Sequence, residues 1–305
     1  MFKKSNILIT GADGFIGSHL VESLVNMGAN VRAMNYYNSW NNKGWLIDLK
    51  KKVLNEVEIF QGDIRDDTRV KQAVKGCDYI FHLSSLIGIP YSYVAAKSYI
   101  DTNVLGTLNV LEAAKNSSKL KALLHTSTSE VYGTAQKVPI DESHPLVGQS
   151  PYAASKIAAD KLVESYYLSF KLPVITARPF NTYGPRQTAR AVIPTIISQM
   201  LDNNNKVFLG NLFSSRDFNY VTDTVHAMIL LIKKTKAVGK VINIGTGKDW
   251  TIEETVSLIM KIYGRKINII SEDKRLRPKK SEVNKLVADN RLLKEITDWK
   301  PKISF

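Results

Sequence analysis

The residues of this chain best suited to move a proton are Tyr152 and Lys156, in the run Ser150-Pro151-Tyr152-Ala153-Ala154-Ser155-Lys156. Residues four apart on a helix share a face, so this phenol and this ammonium look into one volume. A phenol titrates near ~10 in water, and a cation held beside it favours the phenolate. That would make Tyr152 a general base near neutral pH. The same spacing also arises on solvated helix faces, so the pair needs partners to carry meaning. Upstream, Ala122 to Thr126 reads as a strand that runs into Ser127-Thr128-Ser129-Glu130-Val131-Tyr132-Gly133. If that strand ends at the carboxyl edge of a sheet, the hydroxyl of Thr128 and the carboxylate of Glu130 face the same crevice as Tyr152.

The elements that must position these groups begin at the N-terminus. Ile7 to Thr10 is a short apolar strand, followed at once by Gly11-Ala12-Asp13-Gly14-Phe15-Ile16-Gly17. A helical pattern opens at Ser18 and carries Leu20, Val21, Leu24 and Val25 on one face. Strand, glycine turn and helix together suit a dinucleotide: the turn lets its pyrophosphate approach the backbone, where the unpaired N–H groups of the helix point at it. The spacing is GxxGxxG rather than GxGxxG. A second strand, Asn30 to Met34, leads to Asn35, where such folds usually place an acid on the adenosine ribose. An amide bonds a ribose hydroxyl without repelling a 2′-phosphate, and Arg32 is close in sequence. NAD is favoured, and NADP stays open.

Val57 to Phe60 reads as a third strand leading to Asp63-Ile64. Asp63 either accepts the adenine amino group, with Ile64 against the ring, or caps a helix. Cys77 to Ser85 is a buried strand entering the turn Leu83-Ser84-Ser85, whose serines let a cofactor ribose approach, and His82 within it reads as a strand histidine rather than a catalyst. A helix is expected from Tyr99 to Asn116, with Asn103 on it. Tyr36 to Trp45 is a loop that covers the adenine or forms a surface lid.

Size and composition set the bounds. A chain of 305 residues with 44% hydrophobic and 23% charged residues is ordinary for a soluble α/β protein. No apolar run reaches membrane-span length and no signal-peptide pattern occurs, and Cys77 is the single cysteine, so a cytoplasmic protein is expected. The net charge of +14 comes from scattered lysines, without a basic helix interleaved with aromatics. We read it as a solvated surface with a few arginines set aside for an anionic substrate, not as a nucleic-acid footprint.

Gly11-x-x-Gly14-x-x-Gly17, Asp63, Thr128 and Tyr152-x-x-x-Lys156 together resemble the extended short-chain dehydrogenase/reductases of the nucleotide-sugar epimerase/dehydratase group. Arg178-Pro179-Phe180-Asn181-Thr182-Tyr183-Gly184-Pro185-Arg186, Arg216-Asp217-Phe218-Asn219-Tyr220-Val221 and Asn243-Ile244-Gly245 extend the likeness over nearly the whole chain. The resemblance implies a Rossmann-like doubly wound parallel sheet in residues 1–180 and a smaller substrate-binding lobe mainly in 181–305, with some segments returning to the sheet. It implies NAD held by Gly11, Asp13, Gly14, Phe15, Ile16, Gly17, Asn35, Asp63, Ile64, Leu83, Ser84, Ser85, Asn103, Tyr152 and Lys156, and no metal. The substrate, a nucleotide-diphosphate sugar, would meet Thr128, Asn181, Arg190, Arg216 and Arg277, with Arg186 a further candidate. Glu282 is equally suited to an ion pair or a uridine contact. A homodimer is implied through the helices at 99–116 and 152–170.

Within that group Thr128-Ser129-Glu130 departs from the Thr-Asp-Glu of most sugar 4,6-dehydratases and matches UDP-glucuronate decarboxylases. It is also similar to one dehydratase branch, which opens legionaminic-acid and related amino-sugar pathways from a nucleotide-linked N-acetylglucosamine. That branch further resembles this chain at Tyr37-Asn38-Ser39-Trp40, Ile89-Pro90-Tyr91-Ser92-Tyr93 and Arg275-Leu276-Arg277-Pro278. A 4,6-dehydratase is therefore expected, with Thr128, Ser129, Glu130, Tyr152 and Lys156 catalytic. UDP-glucuronate decarboxylation and 4-epimerisation stand as alternatives. A catalytically silent binding protein would need no such set.

Overall fold

The computed structural model describes residues 2–202, 206–272, 275 and 278–305. Six parallel strands, β1 (Asn6–Thr10), β2 (Asn30–Tyr36), β3 (Val57–Gly62), β4 (Tyr79–His82), β5 (Ala122–Thr126) and β6 (Val174–Pro179), are joined by a seventh, Val241–Ile244. The sheet order is Val241–Ile244, β6, β5, β4, β1, β2, β3. Chain order reverses between β1 and β4, and in such sheets ligands bind outside the carboxyl ends of the strands at that reversal. This is the Rossmann-like α/β architecture expected.

The strands are apolar runs rather than alternating ones because helices cover both faces. On one face Leu20, Val21 and Leu24 pack with Val225, Met228 and Ile232. On the other, Val70, Val110, Leu111, Val163 and Tyr166 meet Leu8, Ile80 and Leu123 of the sheet. A further cluster, Ile193, Ile196, Met200, Val207, Phe218 and Val256, forms beyond residue 190. It lies between the helices Val192–Leu201 and Ile252–Tyr263 and the parallel pair Lys206–Leu209 with Asn268–Ser271. The chain beyond residue 180 thus contributes both to this smaller body and, through Val241–Ile244, to the main sheet.

Two expectations are corrected. The first helix opens at Phe15, not Ser18, with Gly14 in extended conformation as its N-cap. Gly17 therefore sits inside the first turn, where a Cβ would lie 2.1 Å from the Gly11 carbonyl oxygen. The continuous helix expected over 99–116 is instead a short turn, Ala96–Tyr99, then a π-helical stretch, Ile100–Leu105, then an α-helix, Gly106–Lys115. Wide π turns cluster at functional sites, and this one carries Asn103 inward.

The helix Pro151–Phe170 starts on Ser150, whose hydroxyl accepts the Ala153 N–H at 3.1 Å, with Pro151 at its first position. Its buried stripe holds Tyr152, Ser155, Lys156, Ala159, Asp160 and Val163, at the spacing of one helical face. A stripe so rich in polar groups needs partners, and these form the site.

Candidate active site

A cleft of about 2210 Å³ runs across the carboxyl edge of the sheet. Its walls include Gly11, Asp13, Gly14, Phe15, Ile16 and Gly17 at one end, and Thr128, Glu130, Tyr152 and Lys156 beside Asn181, Arg190 and Arg216.

The dinucleotide end is a backbone cradle. Gly11 has φ +67, and a Cβ there would come within 2.8 Å of Ser84 N, so only glycine permits both the turn and the approach of the 83–84 segment. Asp13 accepts the Tyr36 N–H at 3.3 Å, and burial pushes its carboxyl up from the usual range. Asn35, next to last in β2, is 1% exposed with its side-chain oxygen lacking a partner, an acceptor suited to a ribose hydroxyl. Arg32 does not reach this edge. It is held by Glu58 at 2.8 Å and the Ala73 carbonyl at 2.7 Å, which removes the sequence argument for a 2′-phosphate partner.

Asp63 and Ile64 line the cleft beside Leu83, Ser84 and Ser85. Asp63 caps no helix; Asp66 does so, accepting the Arg69 N–H at 3.0 Å. Both Asp63 oxygens instead accept from the Arg65 guanidinium, at 2.5 to 3.0 Å, which holds the carboxyl below its ordinary range. Asn103 is fully buried, and its side chain brackets Leu86 and reaches Ser155 at 2.9 Å.

At the centre, Thr128 is extended and caps a short 3-10 turn, Ser129–Tyr132, its hydroxyl accepting the Glu130 N–H at 3.2 Å. Thr128 and Glu130 line the cleft, and Ser129 between them is 3% exposed.

Tyr152 is 6% exposed, edge-on to the Tyr99 ring at 6.2 Å. Burial pushes its phenol well above the ordinary value; the Glu130 charge adds to this and a hydrogen bond with Thr128 opposes it. The expected help from Lys156 is therefore not what sets this phenol in the protein alone. Lys156 donates to the Thr126 carbonyl at 2.7 Å, and burial lowers its pKa to about 8 against the attraction of Asp160.

This depressed lysine makes a testable statement. Between its folded value of about 8 and the ordinary 10.5, the unfolded chain binds more protons, so the Lys156 contribution to stability rises with pH across that window. Relative to Lys156→Met, the unaltered protein is expected to gain melting temperature from pH 8 to pH 10.5. Parallel melting curves for the two proteins would show that burial does not lower the pKa of Lys156.

Sequence reasoning missed the anchor below Lys156. Asp160, one turn on, accepts from Ser127 Oγ at 2.9 Å and from Arg178 Nε and Nη2 at 3.1 and 2.9 Å. His125 Nε2 lies 3.3 Å from the other carboxylate oxygen. The 156/160 spacing was a usable signal, since it puts a carboxylate on the face that carries Lys156.

On the substrate side, Arg216 is buried against the Ser215 carbonyl at 2.9 Å and lies 3.9 Å from Glu282. Asn181 lines the cleft with its side-chain oxygen unpartnered, and Arg190 is exposed on the wall. Arg186 is tied to Glu22 at 3.1 Å. Arg277 lies outside the described residues. Gln187, which the motif reading passed over, also lines the cleft, its side-chain oxygen unpartnered.

A family model described as GDP-mannose 4,6 dehydratase matches residues 8–305. The human dTDP-D-glucose 4,6-dehydratase is 34% identical over 263 residues, covering 84% of this chain and 73% of that protein. Among solved structures, the dTDP-glucose 4,6-dehydratase of Bacillus anthracis in complex with NAD superposes with a TM-score of 0.85 at 28% identity, covering 99% of this chain and 93% of that one. The UDP-N-acetylglucosamine 4-epimerase of Methanobrevibacter ruminantium, in complex with UDP-N-acetylmuramic acid, gives 0.88 at 31%, with coverage of 99% and 94%.

Proposed function

This chain belongs to the GDP-mannose 4,6-dehydratase family of NAD-dependent epimerases and dehydratases, and from that premise we propose that it is a nucleotide-sugar 4,6-dehydratase acting on UDP-N-acetylglucosamine. The observation that carries the reading is Glu130, a carboxylate on the same cleft wall as Thr128 and Tyr152. Exchange of configuration at C4 needs no base at C5, whereas elimination of water across C5 and C6 does.

NAD, when bound, supplies the hydride chemistry, and the protein supplies position and proton transfer. Gly11, Gly14 and Gly17 with the first turn of the Phe15–Asn26 helix would hold its pyrophosphate, Asn35 a ribose and Asp63 the adenine. Tyr152, bonded to Thr128, takes the proton of the sugar C4 hydroxyl, and the positive charge of Lys156 favours that transfer. The C4 ketone acidifies the C5 proton, which Glu130 removes. Because position 129 carries a serine and no carboxylic acid, Glu130 is also assigned to return a proton to the C6 hydroxyl as it leaves as water. Asn181, Arg190, Arg216 and Arg277 are assigned to the sugar and pyrophosphate.

The choice of N-acetylglucosamine rests on the segments shared with the amino-sugar branch. Among these, Ile89, Pro90, Tyr91 and Tyr93 line the same cleft as Tyr152. A homodimer through the helices flanking β5 belongs to the proposal; Ile100, Leu105, Leu168 and Phe170 are exposed there.

The 4-epimerase reading draws on one observation, the absence of a second acid at position 129. Mass spectrometry separates the readings. With UDP-N-acetylglucosamine and NAD, a product lighter by one water is expected; unchanged mass with a new C4 configuration would move the assignment to epimerase. Loss of CO2 from UDP-glucuronate alone would make it a decarboxylase. Glu130→Gln is expected to reduce water loss by at least ~10²-fold and to stop solvent deuterium entering C5. Full turnover in that variant would remove Glu130 from the mechanism.

A further inference from the structure

We propose that Thr10, His82 and Thr107, none of which touches the cleft's reacting end, are positioning residues: they form a buried hydrogen-bond chain that holds the cofactor-side turn 83–86 and the first turn of the Tyr152 helix in one register.

The protons of this chain can be assigned link by link. Thr10 Oγ1 lies 3.2 Å from both Leu83 N and Ser84 N, two backbone donors that can only donate. Its own proton therefore goes to His82 Nδ1, 2.8 Å away. That choice places the imidazole proton on Nε2, which donates to Thr107 Oγ1 at 3.0 Å, and Thr107 in turn donates to the Asn103 carbonyl at 2.6 Å. The side chain of Asn103 then divides. Its oxygen accepts from Leu86 N at 2.8 Å and Ser85 Oγ at 3.0 Å, while its nitrogen donates to Ser155 Oγ at 2.9 Å. Ser155 passes its proton to the Tyr152 carbonyl at 2.7 Å.

One consistent arrangement thus satisfies every link, and it runs in one direction from β1 to the catalytic helix. Thr10, His82, Thr107, Asn103 and Ser155 are all buried, each at 2% exposure or less. A hydroxyl–imidazole–hydroxyl path through a sheet core is a poor way to add stability, since apolar side chains of the same volume would serve at no desolvation cost. What the path adds is direction. Both of its ends are walls of the cleft: Leu83, Ser84, Ser85 and Leu86 at one, Tyr152 at the other.

The test rests on the NAD reading made above and uses the whole chain. Thr10→Val keeps volume and shape but leaves the Ser84 N–H without its acceptor and His82 without its donor. NAD affinity of the folded protein, measured by calorimetry well below its melting temperature, is expected to weaken about tenfold, while Thr10→Ser stays within about threefold of the unaltered chain. Thr107→Val, which interrupts the path in its middle, is expected to weaken NAD in the same direction and to lower kcat more than it raises the sugar-nucleotide KM.

Folded Thr10→Val that binds NAD as tightly as Thr10→Ser would overturn the proposal. So would failure of both valine variants to fold while Thr10→Ser behaves normally, because the path would then be structural only. Absence of NAD binding by the unaltered chain would sink the cofactor reading as well, a different result from unchanged affinity in the variants.

Discussion

Replacing Tyr152 by Phe is expected to lower kcat by roughly 10³-fold while the folded protein and its NAD affinity stay close to those of the unaltered chain. The substitution removes one oxygen from a ring that is held by packing, edge-on to Tyr99 and in the cluster with Ile89. Its hydroxyl bonds Thr128, and its ring shares a buried helix face with Lys156. Burial raises this phenol in the protein alone, so its own proton must first pass to solvent, with the positive charges of Lys156 and the bound cofactor favouring the phenolate that then accepts the C4 hydroxyl proton. Rates with the sugar nucleotide should therefore fall in kcat far more than in KM. Steady-state kinetics on the purified variant decides the matter, and a loss under tenfold would move the base to another residue.

The second large effect is on stability. Asp160→Leu is expected to cost about 3–5 kcal/mol, because it strands the Arg178 guanidinium, which is buried against the Tyr132 ring at 4.9 Å. For a chain of this size that is a fall in melting temperature of roughly 10 °C. Replacing both partners, Asp160→Leu with Arg178→Met, is expected to recover much of the loss, since a buried pair can be exchanged for apolar groups more cheaply than it can be halved. Thermal melts of the single and double variants give the comparison. Equal losses in the two would show that packing volume at this point, and not the unpaired charge, sets the cost. Asp160 also opposes the burial of Lys156, so the single variant should bring that lysine closer to neutrality at working pH.

Much of this molecule is written in short-range pattern. The run Ile7–Thr10, the glycines at 11, 14 and 17, and the 152/156 pair each depend on neighbours within a few residues. Backbone sterics and helical spacing act at that distance, so the glycine turn, the succession of strands along the chain and the shared face of Tyr152 and Lys156 could be read directly. The likeness of Thr128 and Glu130 to an acid-base set was equally local, because it sits at the end of one strand.

What tertiary structure alone decided is the identity of each polar partner. Arg32 looked available for a phosphate until β3 and the end of the Asp67–Val74 helix took its guanidinium. Ser129 belonged to the catalytic set by motif, and a 3-10 turn buries it. Asn103 lay on an expected continuous helix, and the π turns there carry it into a bracket around Leu86. Asp160 found Arg178, and His82 found Thr10 and Thr107. A buried polar group must be paired, but the sequence does not say with whom. Partner choice is settled only when strands far apart in the chain come into register, as β4 and β5 do when His82 faces His125.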